Sequence, residues 1–147
     1  MPDLLVFAPC ERVIVNEQDN TISLITLFRR LDISVPRAEA PLAPNAMAPM
    51  RWWVLTIWDR QGEDEGRRYE QRVALEDFRG EIIFEVPQTE SFQMTADEQR
   101  VINFINYFPI GRAGDFRLIL SLREVGQQGW RQIKTYPMLV NHIVAQT

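Results

Sequence analysis

Chemistry-bearing side chains are scarce in this chain. Its 147 residues include one cysteine and one histidine, Cys10 and His142. A lone cysteine excludes an internal disulfide framework and a cysteine-based zinc site. A lone histidine leaves a Ser-His-acid triad a single candidate. Lysine is nearly missing too: of 16 basic residues, all but Lys134 are arginine. The arginines are scattered without a basic stripe and the net charge is -4, which argues against a nucleic-acid partner. No apolar run approaches the roughly 20 residues of a membrane span. The seven glycines form no phosphate loop, since Gly111-Arg112-Ala113-Gly114 is short and lacks a following Lys-Ser/Thr.

The opening Met1-Pro2-Asp3 carries no basic residue before the short apolar run Leu4 to Ala8. It therefore reads as neither a signal peptide nor an anchor. Leu5 to Cys10 is superficially similar to a lipoprotein cleavage site, but Pro9 and the missing basic residues argue against one. A lone cysteine fits a reducing compartment, so a cytoplasmic location is expected. Cys10 reads as a small apolar filler near a strand end.

What the chain does have is short apolar strands between turn signals. At 147 residues, a single domain over 1–147 is expected. Leu4–Ala8 reads as a first strand, broken by Pro9 and resumed at Arg12–Asn16. Thr21–Val35 reads as a strand pair or one bulged strand, because its apolar phase changes partway. Pro36–Met50 holds four of the nine prolines and reads as an extended crossover between two sheets. Strands are expected at Arg51–Asp59, Arg68–Leu75, Gly80–Val86 and Arg100–Phe108. Phe116–Val125 and Trp130–Tyr136 look like a hairpin, with Leu139–Val144 as a separate last strand. Thr95-Ala96-Asp97-Glu98 matches a capping box, so one short helical turn is placed at Ala96–Arg100. Pro87–Gln99 is otherwise a polar connection. About eight strands without strand–helix alternation predict an all-β, antiparallel β-sandwich, of Greek-key, immunoglobulin-like or C2-like kind.

The element order resembles an uncharacterised bacterial domain-of-unknown-function family of small β-sandwich proteins. The matching stretches are Asn20 to Phe28, the apolar strand after the proline-rich crossover, and Phe108-Pro109-Ile110-Gly111-Arg112-Ala113-Gly114-Asp115-Phe116-Arg117-Leu118. The resemblance implies the fold and brings no activity with it.

The remaining constellations read better as structure than as chemistry. His142 stands near a chain end beside Asn141 and reads as a surface or strand-end side chain. Glu81 and Glu85 read as a solvated strand face opposite Ile82, Phe84 and Val86. The acids of Asp59 to Gly66 lack EF-hand spacing and read as a mobile, solvated hairpin tip. Pro41-Leu42-Ala43-Pro44 has PxxP spacing without a basic context. No cofactor or metal is called for, and no enzyme is expected.

The tryptophans are the best lead. In Arg51–Asp59, Trp53, Leu55 and Ile57 share one face, and Trp52, Val54, Thr56 and Trp58 share the other. With the first set inward, Trp52, Val54 and Trp58 form an outer surface for contact with another protein. The expected function is a non-catalytic interaction or assembly module, a homo-oligomer above all. The alternative is a carbohydrate- or peptide-binding module that uses the same exposed indoles.

Overall fold

The computed structural model describes residues 1–87 and 91–146, and it is all-β. Among the described residues, ten strands run in the order β1 (Asp3–Val15), β2 (Ile22–Leu27), β3 (Arg30–Val35), β4 (Met47–Asp59), β5 (Arg68–Glu76), β6 (Ile82–Glu85), β7 (Phe92–Gln93), β8 (Glu98–Pro109), β9 (Gly114–Glu124) and β10 (Arg131–Val144). They form two sheets. The four-stranded sheet has the order β2-β1-β4-β8, and the six-stranded sheet has the order β3-β10-β9-β5-β6, with β7 also on β5. Inner-face side chains of both sheets meet in one core built around Trp52, Trp58, Tyr69, Phe108, Phe116 and Leu120. No helix among the described residues is long and apolar enough to cross a membrane.

The expected sandwich is present, with one departure from antiparallel order. The end of β10, Leu139–Val144, pairs in parallel with β3. That segment is continuous with the hairpin strand and is no separate element. The crossover after Pro36 does pass between the sheets, since β3 and β4 lie in different ones.

Pro9 does not break β1. Opposite it, the ladder to β4 continues through Pro9↔Val54. Its ring nitrogen faces the β2 side, where pairing ends at Cys10↔Leu27 and no donor is needed. The phase change in Thr21–Val35 also has a definite cause. Thr26 takes a positive φ of 54°, and Phe28 and Arg29 carry the chain from one sheet to the other. No helical turn forms after Thr95. Glu98 is already paired with Asp59, and this ladder outweighs a local cap. The part of the Pro87–Gln99 connection at 88–90 lies outside the described residues.

The β1–β2 hairpin folds back over its own sheet. Arg100 is opposite Ile57, which is opposite Val6, so Arg100 stands two strands away from β1. Its Nη1 nevertheless donates to Asn20 Oδ1 in the hairpin turn at 3.1 Å. The arm thus lies across the outer face of the four-stranded sheet. Beneath it, Ala8, Cys10, Leu55 and Ile57 are buried although none belongs to the core between the sheets. Ile14, Ile25 and Leu27 of the arm remain exposed.

Candidate interaction surfaces

The face of Trp52, Val54 and Trp58 is not an outer surface. All three side chains are at 0% exposure, which corrects the expectation from sequence. Trp52 Nε1 donates to the Tyr107 carbonyl at 2.9 Å, and its ring meets Phe108 at a centroid separation of 5.6 Å. Trp58 Nε1 donates to Gln71 Oε1 at 3.0 Å. The same oxygen accepts from Thr56 Oγ1 at 2.8 Å, and Gln71 Nε2 donates to Asn103 Oδ1 at 3.4 Å. This buried network ties β4, β5 and β8 together and has no unsatisfied atom among the described residues. Amphipathic indoles bury readily once their N–H is satisfied.

The opposite side of β4 comes closer to solvent. Trp53 lies against Phe104 with ring centroids 4.6 Å apart, and Phe104 is exposed. Both belong to a region dominated by β8. That strand pairs only with β4, so its other edge is open among the described residues. Its run Val101-Ile102-Asn103-Phe104-Ile105-Asn106-Tyr107-Phe108 contains no charge, proline or glycine. Phe104 and Tyr107 stand out of it into solvent.

Several other open edges are blunted. Among the described residues, β1 below Cys10 and β10 below Leu139 each lack a strand partner on one side. Both carry a bulge there, at Leu4/Val6 and Gln132/Lys134, beside Pro9, Pro137 and the one lysine. β3 bears Arg30 and Asp32 and stops at Pro36, and β6 has four residues. Bulges, charges, prolines and short length are the usual means of blocking edge pairing. Among the described residues, β8 has none of them along its uncharged run; β2, the other edge of the same sheet, is also uncharged but has only six residues and is interrupted by the positive φ of Thr26. Sequence reading took Arg100–Phe108 as a strand, but nothing local marks an edge position.

The expected chemical candidates resolve as structure. The acidic loop is solvated at Glu63 and Glu65 but not at Asp64. Asp64 is fully buried, accepting from Tyr69 Oη at 2.6 Å and the Gln61 N–H at 3.1 Å, with the Met1 amine at 3.2 Å. Burial alone would raise its carboxyl, but Tyr69, Gln61 and that amine outweigh burial and hold it below the usual range. Glu81 precedes β6 and pairs with Arg112 at 2.7 Å. Ile82 is exposed, not buried as expected, because it stands opposite Glu76 on an outer face. His142 Nε2 donates to the Ile110 carbonyl at 2.6 Å, pinning β10 to the β8–β9 joint. Burial pushes the Cys10 thiol up to about 11, the opposite of what a reactive thiolate needs.

A second surface lies on the outer face of the six-stranded sheet. Trp130 is half-buried there, with the Arg123 and Arg72 guanidiniums 4.2 and 4.8 Å from its ring centroid. It borders a trough of about 410 Å³.

No family model matches the chain, and no curated protein matches it. Among solved structures, it is similar to the N-terminal domain of PorA. The identity is 8%, the match covers 93% of this chain and 97% of that one, and the TM-score is 0.34.

Proposed function

We propose that the chain is a non-catalytic assembly module that self-associates through the edge of β8. The observation that carries this is the edge of β8: among the described residues it joins an open side to an eight-residue uncharged run, longer than the six residues of β2 at the other edge of the sheet. Such an edge is a template for another strand. A second copy fits it well. Antiparallel pairing about Phe104 sets Phe104 opposite its own copy, Ile102 opposite Asn106 and Arg100 opposite Phe108. No like charges meet, and an aromatic cross-strand pair forms. The reading keeps the expected function and moves it from Trp52, Val54 and Trp58 to β8.

Solution mass by light scattering tests it. Wild type is expected as a dimer or larger species whose mass rises with concentration. Phe104→Lys is expected to give a folded monomer, because an edge lysine blocks strand pairing. Ile25→Lys, on the arm, is expected to leave the mass unchanged. A wild-type monomer at every concentration would overturn self-association and leave strand addition by an extended peptide as the use of this edge.

A further inference from the structure

We propose that the trough on the outer face of the six-stranded sheet binds a neutral oligosaccharide. The proposal is independent of β8, which lies in the other sheet.

Register places the trough's groups. Arg72, Ser121 and Gln132 stand in one row across β5, β9 and β10. Glu85, Ala74 and Ile119 stand in the next row across β6, β5 and β9. Ala74 and Ser121 are small and buried, so they form a floor beneath taller neighbours. Trp130 rises at the Arg72 end. Around the rim, the charges are already matched: Arg123 pairs with Glu70 at 2.8 Å, and Arg117 pairs with Glu76. Within the trough, among the described residues, Arg72, Glu85 and Gln132 have no side-chain hydrogen bond or ion pair.

The chemistry of these groups selects a ligand class. Arg72 only donates, Glu85 only accepts, and Gln132 and Ser121 do both. Sugar hydroxyls donate and accept, so they can satisfy all four. One cation and one anion leave the trough without net charge, which suits a neutral ligand. Ala74, Ile119 and the edge of the Trp130 indole, whose ring is engaged by Arg123 and Arg72, offer apolar surface to the C–H groups of a pyranose ring. The cation–π contact holds Arg72 in place before any ligand arrives. A peptide is less well served here. β9, which runs along the middle of the trough, has ladders on both sides, to β5 and to β10, so it offers no open edge for strand addition.

Titration of tryptophan fluorescence with cellohexaose, maltohexaose and xylohexaose tests the site, with calorimetry as a second readout. At least one of the three is expected to bind saturably. Trp130→Ala and Glu85→Gln are expected to weaken that binding by about tenfold or more, with unchanged thermal melting. Both side chains are at least partly exposed, so folding should survive. The same weakening is expected in a Phe104→Lys host, which separates this site from assembly. No saturable binding below about 10 mM would overturn the proposal. So would binding that is indifferent to both substitutions, or a preference for an extended peptide over all three sugars.

Discussion

A carboxylate taken out of water needs donors, and two aspartates in this protein have found them. Asp64 is held by Tyr69, Gln61 and the Met1 amine. Asp77 accepts from the Arg79 and Glu81 N–H groups at 2.9 and 3.0 Å and from Arg112 at 2.6 Å. In both, burial pulls the carboxyl upward and the donors more than offset it. A depressed folded-state carboxyl contributes stability that is complete above its unfolded value, near pH 4. That contribution is lost as the pH falls through the lower folded value. The melting temperature is therefore expected to hold level above about pH 5 and to fall below about pH 4. Asp64→Asn should flatten that fall and cost about 1–3 kcal/mol at neutral pH, measured by circular dichroism. Gly111 is a steric case. A Cβ there would be driven into the carbonyl oxygens of Ala43 and Pro44, so Gly111→Ala is expected to destabilise by about 3 kcal/mol in denaturant melts. The sequence showed a glycine-rich joint at this point, but its opposing carbonyls come from the distant crossover and leave no local trace.

Alternation along β4 was legible, and its two faces were sorted correctly. Which face points inward was not, because both are apolar for different reasons. Trp52, Val54, Thr56 and Trp58 meet the six-stranded sheet, while Leu55 and Ile57 lie beneath the β1–β2 arm. A strand covered on both sides loses the polar stripe that would have oriented it. The arm itself could not be foreseen, since its position depends on contact between a turn and a strand 80 residues further on. Arg100→Ala removes that tie. Backbone amides of Val13 and Leu24 are then expected to exchange with deuterium about fivefold faster, the effect of losing one modest hydrogen bond. Unchanged exchange would mean that apolar contact alone holds the arm. The strand class, the turns and the crossover were readable because each rests on local patterning; edges, covers and the parallel pair depend on partners remote in sequence.

At the scale of the whole molecule, assembly and stability should respond differently to salt. Surface ion pairs such as Arg30–Asp32 weaken as ionic strength rises, whereas the β8 run has no charge to screen. The oligomer's mass is thus expected to stay constant from about 0.05 to 1 M salt, as read by analytical ultracentrifugation. A mass that falls with salt would point to a charged contact instead. The parallel pairing of β3 with Leu139–Val144 also sets an order of events on the ribosome. β3 is made early, yet its neighbour in the sheet, among the described residues, is β10. While the intervening hundred or so residues are being made, β3 has no place to dock. The six-stranded sheet can be completed only once synthesis has passed Val144, and a polypeptide halted before Leu139 would carry β3 as an unpaired strand open to capture by chaperones or by other nascent chains.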